Sequence, residues 1–205
     1  VTLQQTFYRP MNPRPSPRFL PENALGLITR GRTNYLLRYD GTEVAAISNG
    51  NRLLAASDDL KTVLCYAPMT SPRGRTGSVL ILQDDGVTCR TNTLQHVRQG
   101  ALTGDGERSM LLSGNCRLQL CDRQLRPLWT YERSTTEEFQ LDALYRDGNL
   151  AVLRSDTLLH VLLSTDGVQS LRTLFECECY RVVCEYPLAI VYLHEHRLKL
   201  AVYNF

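Results

Sequence analysis

The chain has 205 residues, of which 43% are hydrophobic and 21% charged, with a formal net charge of +2. That balance fits a globular chain long enough for one sizeable core, and it lacks the strong basic excess of a nucleic-acid binder or membrane-surface protein. No run of about 18 apolar residues occurs, so no transmembrane helix is expected. The opening VTLQQTFYRP has neither the basic nor the apolar region of a signal peptide. It also lacks Met, and the chain is expected to begin inside a longer protein or after a removed tag.

Residues 1–22 come first, with Pro10, Pro13, Pro15, Pro17 and Pro21. Proline supplies no amide donor, so this stretch is expected to be an extended segment or linker, with neither a central strand nor a helix interior. From residue 23 to residue 205 the text is nearly all β. Short runs rich in Val, Ile, Leu, Tyr and Thr alternate with turn signals, and no segment carries a sustained helical stripe with caps. Strands are expected at 24–30, 34–39 and 43–48. The next four fall at 51–57, 60–66, 78–83 and 87–93, with APMTSPRGRTG (67–77) as a loop rich in Pro and Gly. Then come 96–103, 108–113, 116–122 and 125–131, followed by 139–145, 149–155, 157–164 and 168–175. The last are 179–186, 188–194 and 197–204.

The turns recur. NYLLRYDG, SVLILQDDG and LHVLLSTDG each run an alternating strand into Asp-Gly, a strong hairpin signal because a primed turn needs positive φ. Their glycines are Gly41, Gly86 and Gly167, and RLQLCDRQL makes the same shape without Gly, turning near Gln124 and Leu125. ALTGDGERSMLLS (101–113) also matches ALYRDGNLAVLRS (143–155) in register at an offset of 42 residues. A period of about 40–45 residues holding four short strands is the signature of a β-propeller blade. The fold expected is therefore all-β, a propeller or partial propeller of about four to five four-stranded blades. SNGNRLLAAS (48–57) allows a competing register in which 51–57 is a second strand; the first-strand reading gives the more even spacing.

ALTGDGERSMLLSGNCRLQLCD (101–122) resembles a WD40-type blade, with Cys121-Asp122 where the Trp-Asp pair would stand and LWTY (128–131) as the outer strand. The likeness covers about 95–175 well and the rest loosely. It has no Trp-Asp or Gly-His dipeptide, and no His placed for the family's Asp-His-Ser/Thr-Trp network. Divergent propellers of this kind are typical of scaffold subunits in nuclear pore, vesicle-tethering, transport and cell-division complexes. The resemblance implies that role here.

The seven cysteines mostly sit in apolar runs, which suits reduced buried thiols in a cytoplasmic or nuclear protein. Arg outnumbers Lys 21 to 2. This suits bidentate contacts on an interaction surface, and genome base composition explains it as well. Cys177, Cys179, Cys184, His194 and His196 bear zinc-ligand chemistry, but their spacing matches no zinc motif, and a Cys-rich strand with a polar turn is the simpler reading. No G-x-S-x-G, P-loop or dinucleotide fingerprint occurs, and no His pattern suggests a triad. The expectation is a non-catalytic interaction scaffold without cofactor, with protein subunits or peptides as partners and without nucleic acid, small molecule or membrane insertion. Arg30, Arg32, Arg73, Arg75 and Trp129 are the candidate partner-binding residues, and Ser71, followed by Pro72 and Arg73, is a candidate phosphosite. The alternative is a ligand-binding or hydrolytic propeller whose innermost strands line a central channel with Arg52, His96, Arg98, Gln140, Asp142, Arg181 and Glu185.

Overall fold

A computed structural model describes residues 6–7, 25–30, 33–38, 41–48, 50–58, 61–71, 74–83, 86–90, 94–95 and 97–204. The first strands are β1 (Thr6–Phe7), β2 (Leu25–Arg30), β3 (Thr33–Arg38) and β4 (Glu43–Ser48). A second group holds β5 (Arg52–Ala56), β6 (Val63–Ser71), β7 (Gly74–Gln83), β8 (Gly86–Arg90) and β9 (Leu94–Gln95). The third is β10 (Val97–Leu102), β11 (Ser109–Ser113), β12 (Arg117–Cys121) and β13 (Pro127–Glu132). The fourth is β14 (Gln140–Tyr145), β15 (Leu150–Ser155), β16 (Leu158–Thr165) and β17 (Val168–Glu176), with one 3₁₀ turn at Arg146–Gly148. The fifth is β18 (Cys179–Glu185), β19 (Leu188–His194) and β20 (Arg197–Tyr203).

Each group is one antiparallel sheet with its strands in chain order, and β9 adds to β7 in the second. In the third, fourth and fifth sheets the boundaries agree with the expected ones to within two residues. β5 pairs within its sheet only with β6, so 51–57 is a first strand and the competing register is wrong.

One expectation fails. Much of APMTSPRGRTG is paired backbone, because β6 and β7 continue as a hairpin arm from Pro68 opposite Gly77 out to Ser71 opposite Gly74. β5 reaches only to Tyr66 on β6, and β9 pairs on the far side of β7, so Pro68 lies on the edge of the ladder.

Successive sheets stack through shared apolar cores. Ala45 and Ile47 of the first sheet pack with Leu53, Val63, Cys65, Leu80 and Leu82 of the second. Leu54, Leu64, Tyr66, Val79 and Ile81 turn the other way, onto Val97, Leu111, Cys121 and Leu125. Met110, Leu112, Leu118 and Leu120 meet Leu141, Ala151, Leu153 and Leu162. Leu150, Val152, Leu159 and Val161 meet Tyr180, Leu188 and Ile190. The strand period of two explains this division, since neighbouring residues point to opposite faces. LAVLRS (150–155) shows it most plainly, because all six residues are buried and alternate members serve different cores. Packed first strands, β5 on β10 and β10 on β14, set the inner side of the stack.

The 42-residue repeat has a structural cause. Gly106 and Gly148 hold equivalent turns at φ +74° and +91°. Each also leans on the preceding sheet: a Cβ would lie 2.7 Å from Thr62 Oγ1 at Gly106 and 2.7 Å from Leu120 Cδ1 at Gly148. By contrast, Gly167 closes the β16–β17 hairpin beside Asp166, both at positive φ, with open space around it. Gly148→Ala is therefore expected to destabilise by more than about 2 kcal/mol, strain plus clash, and Gly167→Ala by about 1 kcal/mol, strain alone. Equilibrium denaturation of the two variants measures the difference.

Candidate interaction surfaces

The polar residues near the inner strands pair across the joins between sheets. Arg52 on β5 donates to the carbonyl of Val97 on β10 and lies over the Tyr66 ring at 5.5 Å. Arg98 on β10 donates to the carbonyls of Gly114 and Phe139, each at 2.9 Å, and pairs with Glu138 at 2.8 Å, just ahead of β14. The Leu141 amide donates to Gln99 Oε1, another link from β14 to β10. In the next join the Tyr180 hydroxyl on β18 donates to Asp142 Oδ2 at 2.9 Å. Arg154 pairs with the same carboxylate at 3.4 Å and donates to Gln140 at 3.3 Å. Arg146 donates to the Glu185 carbonyl and lies 4.2 Å from the Tyr186 ring.

Of the candidate channel residues, then, Arg52, Arg98, Asp142 and Glu185 join or brace adjacent sheets, while Gln140 bonds Arg154 within the fourth sheet. Arg181 is exposed on β18, and His96 lies outside the described residues. Sequence reasoning missed Arg154, although a charge inside LAVLRS signals a buried ion pair; the side chain of this arginine is only 9% exposed.

His160 is a second buried polar centre. Nε2 lies 2.7 Å from Ser155 Oγ, Nδ1 lies 3.0 Å from Thr173 Oγ1, and the ring meets Phe139 edge-on at 5.0 Å. The Ser-His contact has the form of a nucleophile and its base. Both residues are buried, and a hydroxyl occupies the position where an orienting carboxylate would stand, so in this sealed position the trio ties β15, β16 and β17 together. Burial, the largest influence, lowers the His160 pKa from its usual 6.5.

Asp122, at the Trp-Asp position of the resemblance, closes the β12–β13 turn. Its Oδ1 accepts from the amides of Gln124 and Arg126, each at 2.9 Å, and its Oδ2 accepts from the Arg126 guanidinium at 2.7 Å. Burial works to raise its pKa, but these bonds outweigh it and hold the carboxyl below its ordinary value. They also hold Leu125 at φ +58°, where other copies of the turn use glycine, while its side chain fills the core between the second and third sheets.

Three buried thiols are held protonated. Burial pushes Cys65 up to about 12 and Cys177 up to about 11, and it also raises Cys116. A thiol so raised is a poor nucleophile and a poor metal ligand. Cys184 is exposed and donates to the Tyr186 carbonyl at 3.3 Å, and His194 lies 3.9 Å from Glu195. Among the described residues no three His, Cys, Asp or Glu side chains gather to hold a metal, so the cysteines and histidines of 177–196 are not brought together.

Trp129 is half-buried on β13, opposite Leu120, and packs with Tyr131 against the core shared by the third and fourth sheets. Its neighbour Leu128 is 48% exposed. Arg30 ends β2, Arg75 lies near the start of β7 and Ser71 ends β6; the positions of their side chains, like Arg32 and Arg73 as a whole, lie outside the described residues. Among the described residues no helix is long and apolar enough to cross a membrane.

No family model and no curated protein matches the chain. Solved structures do. A candidate 6-phosphogluconolactonase from Bacteroides uniformis matches over 90% of this chain and 64% of its own, at 10% identity and a TM-score of 0.50. The Dos1 propeller matches over 83% of this chain and 47% of its own, at 11% identity and a TM-score of 0.51. TolB from Acinetobacter baumannii matches over 83% and 45%, at 16% identity and a TM-score of 0.46. The chain thus spans less than two thirds of each of these proteins. Stacked four-stranded antiparallel sheets and the first two of these likenesses define a β-propeller fold.

The His160 burial carries a pH prediction. A base whose folded pKa is lowered stabilises the fold above its unfolded value of about 6.5, and that contribution is lost as pH falls below it. Wild type is expected to lose stability between about pH 6.5 and pH 5, and His160→Gln to show a flatter profile there. Urea midpoints across that range measure both.

Proposed function

We propose that the chain is a non-catalytic scaffold, a propeller domain that holds protein partners within a larger assembly. The observation that carries this reading is the engagement of Arg52, Arg98, Asp142 and Glu185 on the inner strands in joins between sheets. Asp142 takes Tyr180 and Arg154, and Arg98 takes two carbonyls and Glu138. Such groups brace a disc and leave recognition to its rim and turns.

On the rim, β13 pairs among the described residues with β12 alone, so its outer edge offers backbone donors and acceptors to an incoming strand. Leu128 and Thr130 are exposed along it, with Trp129 and Tyr131 anchoring the strand from the opposite face. A partner peptide added here would gain main-chain hydrogen bonds and an apolar contact with Leu128. The Arg-bearing segments around Arg30, Arg32, Arg73 and Arg75 suit acidic partner segments, and phosphate on Ser71 would add charge beside Arg73. The WD40 resemblance of 101–122 agrees with this role, and cysteines set in apolar runs suit the cytoplasm or nucleus.

A photo-crosslinking residue placed at Thr130 tests the reading in cells. The expected result is a discrete protein adduct that Leu128→Glu reduces at least about tenfold, as loss of an apolar contact at an interface would. No adduct at Thr130 or in the Arg-bearing segments, together with a metabolite that raises the melting temperature, would transfer the protein to the ligand-binding or hydrolytic class.

A further inference from the structure

The connection from β13 to β14 meets the β11–β12 turn at a polar cavity of about 250 Å³. Arg117, Glu132, Arg133 and Ser134 line it, together with turn residues 114–116. Two hydrogen bonds fix the connection there. The Arg133 amide donates to the Cys116 carbonyl at 3.1 Å, and Asn115 Nδ2 donates to the Thr135 carbonyl at 3.1 Å. Ser134 stands between these anchors and is exposed. Glu132 is the one carboxylate residue in the lining, and it meets Arg117 at 3.8 Å with both side chains open to water. A pair so loose and so wet contributes little, so Arg117 is available to a stronger anion.

We propose that Ser134 is a phosphorylation site for a kinase that reads acidic residues C-terminal to its target, and that Arg117 and Arg133 receive the phosphate in this cavity. The run Ser134-Thr135-Thr136-Glu137-Glu138 sets two carboxylates three and four positions after the serine. Thr136, Glu137 and Glu138 are exposed with it, so a kinase reaches the run by local opening of the loop. Neighbouring hydroxyls fit less well. Thr135 is half-buried and its Oγ1 accepts from the Glu137 amide at 3.0 Å, while Ser113 is paired within β11 and precedes Gly-Asn-Cys, with no acid. In the transfer the bond from Ser134 Oγ to the γ-phosphorus of a nucleoside triphosphate forms. The bond from that phosphorus to the β–γ bridging oxygen breaks, the hydroxyl proton passes to the kinase's base, and the nucleoside diphosphate leaves. The product carries a charge of about −1.5 to −2 at neutral pH and takes charge-assisted hydrogen bonds from guanidinium groups. Such bonds pin the β13–β14 connection to the β11–β12 turn, where the third sheet passes into the fourth. The site is separate from Ser71 and from the β13 edge, and it holds for a scaffold and for an enzyme alike.

Two measurements test it. Peptide mapping by mass spectrometry, on protein isolated from its native cells with phosphatase inhibitors present, is expected to find phosphate on Ser134. Its absence from Ser134 in every such preparation would overturn the proposal. Phosphorus NMR of the chain with phosphoserine installed at position 134 examines the receptor. The phosphate is expected to titrate below its ordinary second pKa of about 6, because two guanidinium groups favour the dianion. Arg117→Gln combined with Arg133→Gln is expected to return the midpoint to about 6 and to speed removal of the phosphate by a nonspecific phosphatase at least about tenfold. A midpoint at or above about 6 in the chain with both arginines would overturn the proposal whatever becomes of the double variant. So would a lowered midpoint that a folded double variant leaves unmoved.

Discussion

Burial on both faces of each inner sheet is the constraint from which the rest follows. A single four-stranded antiparallel sheet in water exposes too much apolar surface to be stable alone. Here the second, third and fourth sheets give alternate residues of the same strands to two different cores. The polar residues obey the same demand. Where a charge enters a join it is paired, as Arg154 and Asp142 show, because an unpaired buried charge would cost more than the join gains.

The turns are subordinate to this stacking. Gly148 leaves room for Leu120, and Gly106 leaves room for Thr62, so the repeat seen in the sequence records the close approach of consecutive sheets. Asp122 shows another route to the same geometry, with three hydrogen bonds to its carboxylate holding a leucine in a conformation that glycine adopts freely.

The architecture was legible because alternation and turn chemistry are local. DG at 166–167 and the offset between 101–113 and 143–155 sufficed to place the strands of the last three sheets. The β6–β7 arm was not legible, since Pro and Gly in 67–77 read as a loop and only the short reach of β5 makes their pairing harmless. Joins between sheets were beyond reach for a different reason. Arg98 and Phe139, or Asp142 and Tyr180, are far apart in sequence and meet through tertiary stacking alone. Arg52, Arg98, Asp142 and Glu185, expected to face an open channel, are instead engaged with neighbouring sheets.

If the sheets stabilise one another, damage to one must be felt two sheets away. Trp129, the one tryptophan of the chain, reports on the third sheet, and Leu188 is fully buried in the fifth against the fourth. Urea unfolding of Leu188→Ala, followed in parallel by Trp129 fluorescence and far-ultraviolet circular dichroism, tests the dependence directly. Coincident transitions, both shifted to lower urea by a loss of about 2–5 kcal/mol, are the predicted result. A Trp129 transition that stays at the wild-type midpoint while the dichroism moves would contradict it.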